Sequence, residues 1–182
     1  MTAPSIYVFT GTSGAGRKTI ARVVGSALGW TFVRSCTTRP PRRPAEQDED
    51  YHYVSREQFD AWDGDGSFAQ TVTIEGHRYG ILGRELETAA LNGRGAYVVL
   101  NRAGADDVMK RYGERAVRIF VYVDKITLRE RLESKGASYS LVESYLERYA
   151  DEVTYRSQCE YVFENVNANK TAERIVETLS RG

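Results

Sequence analysis

Apolar and polar residues follow one another along the chain at two spacings, and the spacing predicts an ordered series of strands and helices. Ile6-Tyr7-Val8-Phe9-Thr10 is short, mostly apolar and β-favouring, as a buried parallel strand should be. Residues 20–28 repeat their apolar positions at helical spacing. Residues 30–35 read as a second strand and 51–54 as a third. Over 55–62 the pattern predicts a short helix, with Ser55 as N-cap and Gln58 as its capping-box partner. Residues 68–74 alternate as a strand, Glu75-Gly76-His77-Arg78 makes a hairpin turn, and Tyr79-Gly80 opens the return. Beyond lie a helix over 84–92 capped by Gly93, a strand over 97–100, a helix over 103–112 and a strand over 117–123. Asp124 is placed to cap a helix over 126–135. A long helix over 139–158 carries Leu141, Val142, Tyr145, Leu146 and Tyr149 along one face, and a strand over 161–163 and a helix over 170–180 close the chain. This alternation predicts an α/β fold with a central parallel sheet, and a small β-rich insertion over 35–82. In such sheets ligands sit at the carboxyl ends of strands, where Gly11, Ser35, Asn101 and Asp124 all fall.

Composition narrows the function classes. The 182 residues suit one domain with its own core, at 41% hydrophobic and 27% charged. Lys+Arg and Asp+Glu balance at 25 each, so no overall positive field favours nucleic acid or a membrane surface, and any anion site must be local. Cys36 and Cys159 lie far apart without metal-ligand spacing and are expected to be buried, reduced thiols. With His52 and His77 the only histidines, a zinc site is not expected. No run reaches membrane-spanning length and the N-terminus carries no basic-then-apolar segment, so a cytoplasmic protein is expected. Residues 37–50 hold three arginines followed by four acids and three of the four prolines, which predicts an exposed, stiffened loop.

The candidate chemistry starts at Gly11-Thr12-Ser13-Gly14-Ala15-Gly16-Arg17-Lys18-Thr19, between the first strand and the first helix. Strand, glycine-rich turn and helix make a phosphate-binding loop, in which backbone N–H groups and the helix N-terminus face phosphate oxygens. The loop departs from G-x-x-x-x-G-K-[ST]: Arg17 follows Gly16, and Lys18 takes the Ser/Thr slot. Two readings stay open. Either Arg17 supplies the phosphate-facing charge and Thr19 the remaining hydroxyl for Mg²⁺, or Lys18 reaches in by an adjustment of the turn.

The loop, the run Ser35-Cys36-Thr37-Thr38-Arg39-Pro40-Pro41-Arg42 and the run Asp50-Tyr51-His52-Tyr53-Val54-Ser55-Arg56-Glu57-Gln58-Phe59 together resemble the guanylate kinase family. The resemblance continues through Tyr79-Gly80, Arg131-Leu132 and Gly136 and covers nearly the whole chain. It implies a nucleotide-binding core (1–34, 83–125 and 159–182), an acceptor-binding insertion (35–82) and a helical lid (126–158). It implies transfer of the γ-phosphoryl of ATP, with Mg²⁺, to GMP. Gly11, Ser13, Gly14, Ala15, Gly16 and Thr19 would then hold the ATP phosphates. Arg39, Arg42, Tyr51 and Tyr79 match the acceptor-phosphate positions, and Ser35 lines the acceptor-base pocket. Arg131 and Lys135, one helical turn apart, and Arg148 near Tyr145 are candidates to meet the transferring group alongside Arg17 and Lys18.

Several positions depart from the family. Gln70 stands where the family places an acidic reader of guanine, and Val99 and Asn101 replace two aspartates. Ile81 replaces a serine, Lys135 the second lid arginine, and Tyr145 an arginine on the next helix. Two alternatives therefore stand beside a GMP kinase. One is a kinase of a phosphorylated sugar such as ribose 1,5-bisphosphate; the other is a catalytically weak module that binds phosphorylated peptides.

Overall fold

The computed structural model of the chain describes residues 3–44 and 47–182. Five parallel strands, β1 (Ile6–Gly11), β2 (Thr31–Phe32), β7 (Ala96–Val99), β8 (Ala116–Tyr122) and β9 (Tyr161–Glu164), form the central sheet in the order β2-β7-β1-β8-β9. Period-two alternation divides β1 between two cores. Ile6 and Val8 face α3 (Gly83–Asn92) and α4 (Arg102–Tyr112), packing with Val98, Leu86 and Val108. Phe9 faces the other way, toward α1 (Arg17–Leu28) and α7 (Ala168–Ser180), packing with Ile20, Val24 and Ile175. Both faces are covered, as an all-parallel sheet requires.

The predicted strand over 30–35 divides between two sheets. Thr31 and Phe32 pair with β7, and Phe32 stacks on Tyr97 at 5.0 Å. After Val33 and Arg34 the chain enters β3 (Ser35–Thr37) of a second sheet, built with β4 (Tyr51–Tyr53), β5 (Phe68–Ile74) and β6 (His77–Leu82) in the order β4-β3-β6-β5. Cys36, Phe59 and Phe68 fill the layer between this sheet and α2 (Arg56–Gly64), whose N-cap Ser55 accepts from the Gln58 N–H at 3.1 Å. Ala69 and Ile81 root the small sheet in the main core. The β5–β6 turn is tighter than predicted. Glu75 and Gly76 alone make it, both at positive φ (52° and 79°), the primed geometry that matches strand twist, so β6 already opens at His77.

Two further helices, α5 (Lys125–Ser134) and α6 (Tyr139–Thr154), pack through Leu128, Leu132, Leu146 and Tyr149. Asp124 caps α5 as predicted, accepting from the Thr127 N–H at 2.9 Å. Leu141 is not on the packed face and stands exposed. The predicted helix over 139–158 ends early. Its last turn tightens to 3-10 geometry at Tyr155, whose buried hydroxyl donates to Asp106 at 2.7 Å. Gly93 leaves α3 extended (φ −129°) instead of making a left-handed cap. Among the described residues no helix is long and apolar enough to cross a membrane.

Candidate phosphate-transfer site

β1 delivers the chain to a loop that only glycine can begin. At Gly11 φ is +145°, and an added Cβ would lie 1.8 Å from the Val121 carbonyl oxygen of the neighbouring strand. Gly16 (φ 82°) is the N-cap of α1 and has no side chain to occupy the first N–H groups of that helix, whose first turn holds no acid. A helix N-terminus with unsatisfied N–H groups at the carboxyl end of a parallel strand is suited to an anion. Buried Asn165, after β9, fixes the loop from behind by donating Nδ2 to the Ala15 carbonyl at 2.8 Å.

The two basic residues of the loop go separate ways. Arg17 is half-buried, with Nη1 3.4 Å from the Leu100 carbonyl at the end of β7. Desolvation lowers its pKa, the Glu152 carboxylate and the Tyr51 and Tyr145 hydroxyls oppose that, and Arg148 adds to it. Lys18 instead leans over the Tyr51 ring at 4.6 Å, with Nζ 3.2 Å from the Tyr51 hydroxyl and 3.6 Å from Asp50. Arg17 thus reaches toward the end of β7, and Lys18 toward the small sheet. Thr19 is exposed on α1, and its hydroxyl makes no hydrogen bond among the described residues. Among the described residues no group of three or more His, Cys, Asp or Glu side chains gathers there either.

From above, α5 and α6 close over the loop. A Cβ on Gly14 would sit 2.8 Å from Leu128 and 3.3 Å from Tyr145. Glu152 of α6 accepts from Ser13 twice, from its N–H at 3.2 Å and its hydroxyl at 2.7 Å. Arg148 rests on the Tyr145 ring at 4.8 Å. Arg131 is held elsewhere, donating Nη2 to the carbonyls of Asn165 at 2.8 Å and Val166 at 3.0 Å. Lys135 ends α5 exposed, without a side-chain partner among the described residues.

Across the cleft, the small sheet gathers aromatic hydroxyls around one guanidinium. Arg39 lies 5.3 Å from the Tyr51 ring and 5.8 Å from the Tyr53 ring, and the Tyr51 and Tyr79 rings meet at 5.7 Å. Desolvation pulls the Arg39 pKa down, but the Tyr79 hydroxyl, then those of Tyr53 and Tyr51, outweigh it and leave it raised. The Tyr53 hydroxyl donates to buried Asp48, whose pKa is lowered chiefly by that bond. Arg42 is exposed on the loop and makes no ion pair among the described residues. A cavity of about 480 Å³ opens between α1, the loop before β4 and the β2–β3 crossing, lined in part by Lys18, Arg22, Ser35, Tyr51 and Val99.

Two acceptor candidates behave differently. Asn101 is the N-cap of α4, its Oδ1 accepting from the Gly104 N–H at 3.0 Å, so its side chain is engaged in holding the helix start. Gln70 is buried beside that helix start, and neither its Oε1 nor its Nε2 has a partner among the described residues. Glu152, Asn165 and Asp48 did not stand out in the sequence. For Glu152 a signal existed: Tyr145, Arg148 and Glu152 recur at helical spacing on one face.

Comparison with known proteins agrees with this geometry. The guanylate kinase family model matches residues 3–181. Guanylate kinase of Thermotoga maritima is 30% identical over 179 residues, covering 96% of this chain and 85% of its own. That of Fusobacterium nucleatum is 25% identical over 183 residues, covering 100% of this chain and 99% of its own. The crystal structure of guanylate kinase from Anaplasma phagocytophilum shares the fold, with a TM-score of 0.76 at 24% identity over 99% of this chain and 86% of that one. A glycine loop under a helical hairpin, facing an arginine set among tyrosines, thus accompanies a match along nearly the whole sequence: the chain belongs to the guanylate kinase family of nucleoside monophosphate kinases.

Proposed function

We propose that this protein transfers the γ-phosphoryl group of ATP to GMP, giving ADP and GDP. The observation that carries the reading is the pair of cationic sites facing one cleft: Arg17 at the glycine loop, and Arg39 among Tyr51, Tyr53 and Tyr79 on the small sheet. Lys18 spans the two sides. Two anionic substrates brought together need charge neutralised at both ends, and phosphoryl transfer asks for positioning more than for acid or base chemistry. A phosphate oxygen of GMP attacks the γ-phosphorus, the bond to the β–γ bridging oxygen breaks, and ADP leaves with that oxygen. The loop N–H groups and Arg17 hold the donor phosphates, while Arg39, Arg42, Tyr51 and Tyr79 hold the acceptor phosphate. Arg148 bears on the transferring group from the α5–α6 hairpin; to join it, Arg131 has to leave the Asn165 and Val166 carbonyls and Lys135 has to swing in from solvent. Gln70, with Ser35 on the same face two strands away, faces the acceptor base.

The side chains here do not fit a protein-held Mg²⁺. Lys18 fills the slot of the usual hydroxyl, Thr19 is exposed, and no carboxylate cluster gathers among the described residues. The divalent ion is therefore written as part of the substrate, held by the oxygens of ATP. The test is a coupled assay of ADP release with ATP, Mg²⁺ and GMP, dGMP, AMP, CMP, UMP or ribose 1,5-bisphosphate. Selective turnover of GMP is the expected result. Turnover of the sugar phosphate alone would reassign the acceptor, and no turnover together with phosphopeptide binding through Arg39 would make the protein a binding module.

A further inference from the structure

The amide of Gln70 leaves both its donor and its acceptor unmatched among the described residues. Gln70 is only 4% exposed, and a buried amide without partners costs stability unless a ligand completes it. Its place on the small sheet says which ligand. Gln70 lies opposite Ile81, and Val72, two residues on, lies opposite Tyr79. Thr37 in turn lies between Tyr79 and Tyr53, and Ser35 beside Tyr51. The cross-strand register sets Gln70, Ser35 and the tyrosines on the same face, and a β-bulge between Phe68 and Gln70 turns Phe68 to the other, into the Cys36–Phe59–Phe68 layer beneath α2. The amide is therefore at the end of that face away from Arg39. It lies against the start of α4: an added Cβ on Gly104 would be 3.3 Å from Nε2. Asn101 cannot satisfy it by turning without losing the α4 cap, and Val99 has no polar group to offer.

We propose that Gln70 reads the N1/O6 edge of a 6-oxopurine and leaves the 2-amino group unread, so that the acceptors are 6-oxopurine nucleoside monophosphates as a class, IMP as well as GMP. This rests on the nucleoside monophosphate reading above. A primary amide offers one donor beside one acceptor. Nε2 donates to O6 while Oε1 accepts from N1–H, a pair that guanine and hypoxanthine present alike. A carboxylate at this position has no donor for O6 and would accept from N1–H and the 2-amino group, which only guanine carries. The N-terminus of α4 beside the amide favours an electron-rich O6 over the amino group of adenine.

The experiment measures kcat/KM by ADP release, and Kd by calorimetry, for GMP, IMP and AMP with the wild type, Gln70→Glu and Gln70→Leu. For the wild type, GMP and IMP should agree within about threefold and AMP should be about tenfold or more worse. In Gln70→Glu the IMP value should drop about tenfold relative to GMP, and Gln70→Leu should weaken GMP and IMP equally. A wild type that prefers GMP over IMP by more than about tenfold overturns the inference while leaving the kinase reading intact. So does an IMP-to-GMP ratio that Gln70→Glu leaves unchanged, and so does AMP used as well as GMP. If Gln70→Glu does not fold, the wild-type ratio decides alone. If GMP is neither bound nor turned over while another acceptor is, the kinase-on-GMP reading fails and takes this inference with it.

Discussion

Arg17 and Arg39 are the same side chain in opposite circumstances. Burial depresses the first, hydroxyls raise the second, and their expected roles divide accordingly. Charge-assisted bonds to a ground-state phosphate contribute about 1.5–3 kcal/mol each. Arg39→Ala should therefore raise KM for GMP roughly ten- to hundredfold with a smaller change in kcat. Arg17→Ala should lower kcat with KM for GMP little changed. Equal and small effects at both positions in steady-state kinetics would remove the proposed division of labour. The glycine loop stands out in the sequence through its spacing between strand and helix, whereas Arg39, Tyr51 and Tyr79 stand out only through their match to the family's positions. For Asn101 the sequence leaves two uses open, because an asparagine at a strand end serves as a ligand or as a helix cap; the 3.0 Å bond from Gly104 shows the second. Glu152 and Asn165 were passed over because acids on helices and asparagines after strands are common, and their partners lie 139 and 150 residues away.

At the scale of elements, α6 does more than the lid role that the sequence suggested. Its Glu152 holds two donors of Ser13 inside the glycine loop, where a triphosphate would bring further negative charge. Glu152→Gln keeps an acceptor for the Ser13 hydroxyl but removes the charge. It should tighten ATP binding about three- to tenfold in calorimetry. Weaker ATP binding in that variant would show that the carboxylate supports the loop instead of competing for it. The strands and helices themselves were read correctly wherever packing agrees with local pattern. The misreadings fall where tertiary contacts decide. The 30–35 run looks like one strand by composition, yet Phe32 is anchored on Tyr97 and Ser35 on Tyr51, in different sheets. The end of α6 was set by the burial of Tyr155, which periodicity does not reveal.

For the molecule as a whole, titration should reveal itself on the alkaline side. Burial pushes the Cys36 and Cys159 thiols up to about 12, and Tyr155 also up to about 12. Above about pH 8.5 the unfolded chain loses thiol protons that the folded chain keeps, so stability should fall as pH rises from there toward 12. Denaturant midpoints measured from pH 7 to 11 check the sign. A midpoint that rises or stays flat across that range would contradict the buried, neutral thiols. Buried Cys36 should be alkylated slowly by iodoacetamide in the folded protein, half-buried Cys159 faster, and both fast in urea. The α/β architecture was legible because alternating apolar strands and helices leave few other solutions. The cleft itself was not, because it is made where separate layers meet.

The small sheet is rooted in the main core at one end. Ala69 and Ile81 are set in the main core, while Ile74 and the Glu75–Gly76 turn stand at the far end in solvent. That arrangement is a lever with its fulcrum at the root. For any rotation about it, Tyr79 and the residues around Arg39 sweep a longer arc than Gln70, which sits close to the pivot. Recognition at the base end is thereby a matter of fit, and recognition at the phosphate end a matter of travel.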